Sequence, residues 1–308
     1  MTGAGSDLAV VPDLGASGRR VIGGNAFDLD RATVVMAIVN RTPDSFFDAG
    51  RTFGFRAAVD RCRQALDEGA EWLDIGGVPF SPLAGRVSAA EETARVVPLV
   101  EAVREFSAAV VSVDTTRSAV AAAALAAGAS AVNDTSGLSD PEMAGVVASH
   151  RAAVVITHSL AAPGRVLDRP TYADVCGEVL AFLRQRIARA TGAGVPPEQI
   201  IVDPGHDLNK NTLHSLELTR GLAAFSRLGH PLLVSVSNKD FIGETIGAPK
   251  DARGPATAAV LAFCVRQGAR VVRVHDVAAA VGAVRMTEAL LGLRSPLGSR
   301  HNVEPTGP

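Results

Sequence analysis

Carboxylates, amides and cations recur in this sequence at one kind of place, directly after a short apolar segment. If these segments are parallel strands, their carboxyl ends meet at one edge of the sheet and bring the polar side chains together. Any one of them could instead cap a helix or a loop, but so many together predict a polar pocket in an apolar wall. They are Asn40, Asp74, Asp114, Asn133-Asp134, Thr157-His158, Asp203, Ser235 with Ser237 and Lys239, and Arg273 with His275.

The residue types indicate two kinds of ligand group. Neighbouring Asp and Asn side chains offer acceptors and donors in a plane, which suits a heterocycle with an amino-pyrimidinone edge. Asp203 could accept hydrogen bonds from two ring N–H groups, and Asn133 could bind a ring nitrogen and its neighbour. Arg273, His275 and Asn40 together suit an anion.

Short β-branched segments alternate with longer segments rich in Ala, Leu, Arg and Glu, which indicates strands alternating with helices. Eight such units over roughly 260 residues predict an α/β fold, a single-domain TIM (β/α)₈ barrel. An open doubly wound sheet is the alternative, but no G-x-G-x-x-G follows the first strand. Strands are predicted at Thr33–Val39, Glu71–Ile75, Ala109–Val113, Ala131–Asn133, Ala153–Thr157, Gln199–Val202, Pro231–Val236 and Arg270–Val274. Helices are predicted at Arg56–Glu68, Ala89–Glu105, Ser118–Ala127, Asp174–Ala190, Leu213–Phe225, Gly254–Gln267 and Ala278–Leu291.

The barrel domain is predicted at residues 19–294, between mobile tails at 1–18 and 295–308. The segment Arg20–Arg31 is expected to form a short hairpin that closes the bottom of the barrel. Met1–Ser17 has no basic region and no long apolar run, so we expect no signal peptide, and no stretch is apolar enough to cross a membrane. Three distant cysteines match no metal or redox spacing, which indicates buried thiols in a reduced, cytoplasmic protein.

The composition excludes several classes of protein. The 308 residues are 47% hydrophobic and 20% charged, which is typical of a globular protein and not of a disordered one. A net charge of −2 and an aromatic content of 4% give no support for binding to nucleic acid or to an anionic membrane.

The motifs at the segment ends resemble, in order, those of the dihydropteroate synthase family, whose members are pterin-binding barrels. The resemblance runs from about Val34 to Leu291, and a chance match of so many motifs is negligible. The motifs are Ile38-Val39-Asn40-Arg41-Thr42-Pro43-Asp44-Ser45-Phe46, Asp74-Ile75-Gly76-Gly77, Ser112-Val113-Asp114-Thr115, Asn133-Asp134-Thr135-Ser136-Gly137, Asp203-Pro204-Gly205, Ser237-Asn238-Lys239-Asp240-Phe241-Ile242-Gly243 and Arg273-Val274-His275-Asp276-Val277.

The resemblance implies a transferase reaction of folate biosynthesis. 6-Hydroxymethyl-7,8-dihydropterin pyrophosphate condenses with p-aminobenzoate to give dihydropteroate and pyrophosphate. A pterin carbocation develops as pyrophosphate leaves, and preorganised carboxylates can stabilise it without a covalent enzyme nucleophile. The resemblance implies pterin contacts at Asp114, Asn133, Asp203, Lys239 and Arg273, and catalytic roles for Asp44, Asp114, Lys239 and Arg273.

The resemblance also implies a cofactor, an anion site, inhibitors and an oligomeric state. Asn40 would bind Mg²⁺, which is held by one or two protein oxygens and otherwise by phosphates and water. Asn40, Arg273 and His275 would form the pyrophosphate site. Sulfonamide or sulfone inhibitors are expected to bind. A homodimer is expected through late helices, where Gly254–Val265 and Ala278–Leu291 are rich in apolar residues.

The sequence departs from the family in its loops. Phe80 and Ser81 stand where the family has a threonine and an arginine that meet pyrophosphate and the incoming substrate. Asn238 replaces the arginine of S-R-K, and Arg41 replaces the valine of the family's first-loop motif N-V-T-P-D-S-F. Hydrogen bonds to charged groups contribute roughly 1.5–3 kcal/mol each, so these losses would weaken the transfer reaction. In the family's G-F-G/A-K segment, Asp207 adds a carboxylate and Leu208 removes an aromatic wall.

Because the departures spare the pterin-edge residues, we expect a paralogue with weak or lost synthase activity. In this respect the chain is similar to the divergent second synthase copy found in some actinobacteria. A fully active synthase is the first alternative, with Arg41, Arg51 or Arg86 supplying the missing charge. A methyltetrahydrofolate-dependent methyltransferase is the second, since pterin-binding barrels also serve that reaction, but the first-loop and Ser237-Asn238-Lys239 motifs favour the synthases.

Overall fold

Eight short strands pair side by side in parallel, and the last one closes onto the first. The computed structural model describes residues 18–42, 54–79, 87–162, 165, 167–298 and 301. The barrel strands are β3 (Val34–Asn40), β4 (Trp72–Gly76), β5 (Val110–Asp114), β6 (Ala131–Asp134), β7 (Ala153–Thr157), β8 (Ile200–Asp203), β9 (Leu232–Val234) and β10 (Ala269–Val274). Their order around the barrel is β10-β3-β4-β5-β6-β7-β8-β9, which confirms the predicted TIM barrel.

Helices follow the strands and cover the outside of the barrel. They are α1 (Phe55–Asp67), α2 (Ala89–Phe106), α3 (Ser118–Ala126), α4 (Met143–Ser149), α5 (Val175–Gly192), α6 (Thr212–Arg220), α7 (Asp240–Ile246), α8 (Gly254–Arg266) and α9 (Val277–Leu290). The predicted helix Leu213–Phe225 is wrong in its second half. Helix α6 ends at Arg220, and after Gly221 the chain continues as a 3₁₀ helix over Leu222–Leu228. Helices α4 and α7 add to the seven predicted ones.

A hairpin closes the amino end of the barrel, as predicted. Strands β1 (Arg19–Ile22) and β2 (Asn25–Asp28) pair antiparallel. Ile22 and Phe27 pack with Trp72, whose ring lies edge-on to that of Phe27 at 5.7 Å between centroids. The side chain of Asn25 donates to the carbonyl of Ala108 over 2.8 Å, just before β5. The apolar amino end is therefore sealed, and the opposite end is left for polar groups.

The core has two layers. One layer lies between the strands and the surrounding helices. The other lies inside the barrel at its amino end and includes Met36, Trp72, Val110, Ile201 and Val271. Within the described residues, no helix is both long enough and apolar enough to span a membrane.

Candidate functional site

The alternation of side chains along each strand decides which polar residues enter the barrel. Successive side chains point to opposite faces, so a residue two or four positions beyond an interior residue is also interior. This rule places five of the polar residues at the strand ends inside the barrel. Asp74 follows Trp72, Asp114 follows Val110, Asn133 follows Ala131, Asp203 follows Ile201 and Arg273 follows Val271, all on the interior face.

Arg273 joins two carboxylates at the mouth of the barrel. Its Nε donates to Asp74 Oδ2 over 2.5 Å, and its Nη2 donates to Asp114 Oδ2 over 2.7 Å. Asn133 Nδ2 donates to the same Asp74 oxygen over 3.0 Å. These four side chains come from four different strands, so the network links β10, β4, β5 and β6. Removing either partner of an ion pair in this network would leave a buried charge unpaired, which would destabilise the folded protein.

Two oxygens of this network have no hydrogen-bond partner among the described residues, Asp74 Oδ1 and Asn133 Oδ1. The hydroxyls of Ser112 and Thr157, which follow interior residues of β5 and β7, have none either within the same residues. A buried polar group without a partner costs about 1–3 kcal/mol, so proteins keep such groups mainly where something else completes them. The mouth of the barrel can therefore accept hydrogen bonds from a buried ligand.

The charge of Asp114 can change near neutral pH. Burial raises the pKa of Asp114 to about 7, while Arg273 opposes the shift and Asp74 adds to it. Burial alone would lower the pKa of Arg273, but Asp74 and Asp114 outweigh burial and raise it. The guanidinium therefore stays charged, and the carboxyl of Asp114 is the group that can gain or lose a proton.

Asp203 ends β8 and is oriented by the turn that follows it. Its Oδ1 accepts from the backbone N–H of Gly205 over 2.7 Å. Gly205 has a φ of 71°, and a Cβ at this position would lie 2.0 Å from the carbonyl oxygen of His158, so only glycine fits. Burial raises the pKa of Asp203, and the bond from Gly205 and the charge of Lys239 act in the opposite direction.

Lys210 holds the segment that follows, which we call the 205–210 loop. Its buried Nζ donates to the carbonyls of Gly205 over 2.9 Å and Leu208 over 3.2 Å. The same Nζ lies 2.8 Å from Nδ1 of His158, which is also buried. Burial lowers the pKa of Lys210 to about 7 and, together with the charge of Lys210, lowers that of His158 to about 3. The neutral imidazole can therefore accept from the amine at this contact.

Lys239 and Asn238 lie in the loop between β9 and α7. Lys239 Nζ donates to the carbonyl of His206 over 2.9 Å, and burial lowers its pKa. Asn238 has a φ of 60°, and its carbonyl accepts from Arg253 Nη1 over 3.0 Å. Its side chain brings no charge to the position where the family has arginine, whereas the amine of Lys239 lies beside the Asp203 turn.

Asn40 is the last residue of β3 and His275 directly follows β10, and these two strands are neighbours in the barrel. The side chain of Asn40 lies against β4, since a Cβ on Gly76 would be 3.0 Å from its Oδ1. His275 Nδ1 lies 3.2 Å from the hydroxyl of Ser237, and Arg61 donates to the carbonyl of His275 over 2.9 Å. Both predicted anion-site residues therefore border the mouth beside Arg273.

Several residues with predicted roles lie outside the described residues, so these roles stay predictions. They are Asp44, Arg51, Phe80, Ser81 and Arg86. Leu208 is half-buried in the 205–210 loop, and Asp207 binds helices α6 and α7 through its carboxylate.

Arg41 lies on the outer side of the mouth, against helix α2. Its Nη1 donates to the carbonyls of Ala94 over 3.3 Å and Arg95 over 2.8 Å, and its guanidinium lies 5.2 Å from the ring centroid of Phe55. Pro98 has no N–H for the carbonyl four residues before it, which is that of Ala94. Arg41 therefore donates to a helix carbonyl that lacks its usual backbone donor. Its position gives no support for the alternative in which Arg41 supplies the missing positive charge to the pocket.

Sequence reasoning missed two parts of the site. Asp74 was predicted to end a strand at the polar pocket but was given no role of its own, yet it is the acceptor that Arg273 and Asn133 share. Its position two residues after a buried tryptophan was the available signal. The contact of Lys210 with His158 joins residues 52 positions apart and has no local signal.

The described residues contain no group of three or more His, Cys, Asp or Glu side chains that could hold a metal ion. Asn40 offers one amide oxygen at the mouth of the barrel. One protein oxygen is a poor cage for Ca²⁺ or Zn²⁺ but suits Mg²⁺, which keeps most of its waters and takes its other ligands from phosphates.

Comparisons with known proteins agree with this geometry. Residues 36–275 match the family model described as pterin binding enzyme. The chain is 42% identical over 273 residues to inactive dihydropteroate synthase 2 of Mycobacterium tuberculosis, covering 87% of this chain and 85% of the relative. It is 38% identical over 271 residues to dihydropteroate synthase of Synechocystis, covering 87% of this chain and 94% of that protein.

The solved structures give the same result. The solved structure of Xanthomonas albilineans dihydropteroate synthase with 4-aminobenzoic acid superposes with a TM-score of 0.82 at 38% identity, covering 89% of this chain and 98% of that one. Relatives of both kinds, those named synthases and those named inactive, are thus similar to this chain over most of its length. With its barrel, its interior acid–amide–guanidinium network and these matches, the chain belongs to the pterin-binding enzyme family, among the dihydropteroate synthases.

Proposed function

We propose that this protein binds 6-hydroxymethyl-7,8-dihydropterin and its pyrophosphate, together with p-aminobenzoate or a similar molecule, and has weak or no synthase activity. The observation that supports the pterin site most directly is the buried network of Asp74, Asp114, Asn133 and Arg273, in which one oxygen each of Asp74 and Asn133 has no partner among the described residues. Relatives solved with 4-aminobenzoic acid and with 7,8-dihydropteroate bind ligands of this kind.

The polar edge of a pterin ring matches what the mouth offers. Its ring N–H and amino groups are donors, and the acceptors are the carboxylate of Asp203 and the oxygens Asp74 Oδ1 and Asn133 Oδ1, which have no partner within the described part of the chain. The planar guanidinium of Arg273, fixed by Asp74 and Asp114, can stack on the ring face. Lys239, which lies beside the Asp203 turn, supplies a donor for the ring carbonyl.

The transfer half of the reaction is where we expect the loss. Departure of pyrophosphate needs cations, and attack by the amine needs an aligned second substrate. Arg273, Lys239 and His275 remain at the mouth, whereas Asn238 is neutral, and Phe80 and Ser81 replace the family's threonine and arginine. We therefore expect pterin recognition to persist and turnover to be low.

We propose Mg²⁺ as the cofactor, with Asn40 as its protein ligand. When bound, the ion would neutralise the phosphates and assist their departure. The single amide oxygen at the end of β3 and the lack of a carboxylate cage among the described residues support an ion that enters with the substrate's phosphates.

A fully active synthase is the competing proposal. It is consistent with the cations that remain at the mouth and with relatives, such as those of Synechocystis and Bacillus subtilis, that are named dihydropteroate synthase without qualification. Sulfonamides are expected to bind in either case, as the Yersinia pestis enzyme was solved with a sulfonamide drug complex.

We further propose a cytoplasmic homodimer. The three cysteines are free thiols, which fits a reducing compartment. Large apolar side chains are exposed on the two helices predicted to pair, Phe263 on α8 and Met286 and Leu290 on α9, and Leu290 is 75% exposed. Light scattering at micromolar concentration tests the dimer, and a monomer there would reject it.

Calorimetric titration tests the binding proposal. 6-Hydroxymethyl-7,8-dihydropterin, its pyrophosphate and p-aminobenzoate would be titrated separately into the protein with Mg²⁺. We expect saturable binding of both pterins, one per chain, and weak binding of p-aminobenzoate. Absence of pterin binding would overturn the assignment of the pocket.

A further inference from the structure

The 205–210 loop contains two non-glycine residues in a backbone conformation that favours glycine. Asp207 has a φ of 62° and Asn209 a φ of 51°. In the family segment that this loop resembles, glycine or alanine stands at these positions. A left-handed conformation is energetically unfavourable for a non-glycine residue, although Asp and Asn tolerate it best. Because this unfavourable conformation occurs at two positions in one loop, we expect the side chains of these two residues to make contacts that offset it.

The side chain of Asp207 ties the loop to the next one. Its Oδ2 accepts from the backbone N–H of Asp240 over 2.8 Å, at the first residue of α7. Its Oδ1 accepts from the hydroxyl of the buried Ser215 in α6 over 3.0 Å, and its own N–H donates back to that hydroxyl over 3.2 Å. The bond from Lys239 Nζ to the carbonyl of His206 joins the same two segments a second time.

The side chain of Asn209 ties the loop to the preceding one. Its Oδ1 accepts from the N–H of Leu167 over 2.7 Å, and its Nδ2 donates to Ser159 Oγ over 3.1 Å and to the carbonyl of Arg165 over 3.3 Å. Its carbonyl accepts from the hydroxyl of Tyr172 over 3.1 Å. The two strained residues thus bind the loops on either side of them.

We propose that Asp207 and Asn209 are positioning residues, which pin the 205–210 loop between its two neighbours and hold Asp203 and Lys239 in place before a pterin arrives. This rests on the proposed pterin-binding function. Asp203 precedes the loop, and Lys239 donates to the carbonyl of His206 within it. A shift of the loop therefore moves both groups. If the loop had the binding conformation only part of the time, the observed dissociation constant would be the intrinsic constant divided by the fraction in that conformation, the competent fraction.

Asp207→Gly tests the proposal, because glycine adopts the left-handed conformation without strain and removes the side chain that carries the carboxylate. We expect pterin affinity to fall about tenfold, which corresponds to a competent fraction of about one tenth. Asp207→Asn keeps an acceptor for the N–H of Asp240 and should stay within about threefold of the parent. Arg151→Gly is the matched control, because Arg151 is exposed, has a φ of 50° and precedes β7 at the amino end of the barrel.

Hydrogen exchange of the Asp240 amide in the ligand-free protein is the second measurement. We expect faster exchange in Asp207→Gly, near-parental exchange in Asp207→Asn and no change in Arg151→Gly. Parental pterin affinity in Asp207→Gly, or equal exchange in all four proteins, would overturn the positioning role. A parent that binds no pterin would instead reject the proposed function, while the exchange result would still decide whether Asp207 holds α7.

Discussion

At the mouth of the barrel, the residues at the strand ends match the dihydropteroate synthase family more closely than those of the segments that follow them. Asp74, Asp114, Asn133 and Arg273 are placed by strand register and joined by bonds of 2.5–3.0 Å. In the sequence, the departures from the family fall between a strand and the next helix, at Arg41, Phe80, Ser81, Asn238 and residues 207–209. A change at a strand end disturbs several neighbours at once, whereas a loop can change alone. Recognition of the ring can thus persist while the groups that promote transfer are lost.

Restoring the loops should have the largest effect. Phe80→Thr and Ser81→Arg combined with Asn238→Arg should raise turnover by about 10²–10⁴-fold, since each 1.36 kcal/mol recovered in the transition state gives tenfold. Steady-state assays with pterin pyrophosphate, p-aminobenzoate and Mg²⁺ measure it. Turnover of the triple variant equal to that of the parent would show that these positions are not what limits the reaction.

Removing a strand-end acceptor should come next. Asp203→Ala should weaken pterin binding by about 100-fold or more, because buried donors of the ligand are left without a partner. The control is Asp174→Ala, whose carboxylate also accepts from a nearby backbone N–H, that of Gly177 at the start of α5. That change should cost about 1 kcal/mol of unfolding free energy and leave binding unchanged. Equal pterin affinities for Asp203→Ala and the parent in calorimetry would remove Asp203 from the pocket.

The pH dependence of pterin binding should be intermediate in size. Because the pKa of Asp114 is raised to about 7, its carboxylate is lost as the pH falls through that value. If the carboxylate is the form that accepts from the ring, affinity should fall about tenfold per pH unit below about pH 7 and level off above it. Asp114→Asn should bind more weakly at pH 8 and show a flatter profile. An unchanged slope in that variant would assign the titration to another group.

Arg41 should have the smallest effect, although it is also a departure in a loop. Arg41→Val restores the family residue and removes bonds to the carbonyls of Ala94 and Arg95. We expect the unfolding free energy to fall by about 1 kcal/mol and turnover to change less than about threefold. Denaturant unfolding and steady-state assays measure the two. A large loss of residual turnover would mean that Arg41 does supply charge to the transfer step.

The fold could be predicted from the sequence because hydrophobic pattern and strand register are local. The eight predicted strands agree with the observed ones to within two residues at either end. The second half of the helix Leu213–Phe225 failed at Gly221, where the α-helix gives way to a 3₁₀ helix. The identity of the strand-end residues followed from the same pattern, since alternation from Trp72 or Ile201 carries the interior face to Asp74 and Asp203.

The contacts within the site could not be predicted in the same way. Arg273 reaches Asp74 across 199 positions of sequence, and Asp207 reaches the N–H of Asp240 across 33. Such contacts depend on barrel closure and on backbone conformation, for example the positive φ of Asp207. The sequence shows that Asp207 is unusual at its position, but not that its carboxylate joins two helices.

Turnover of the unmodified protein at saturating pterin pyrophosphate and p-aminobenzoate with Mg²⁺, measured beside the Bacillus subtilis dihydropteroate synthase, tests the central claim most directly. Calorimetry on the same preparation establishes that the pterin site is filled. We predict an occupied pterin site with turnover at least about 100-fold below that of the Bacillus subtilis enzyme. Turnover within about tenfold of that enzyme would contradict the account and identify the protein as an ordinary synthase.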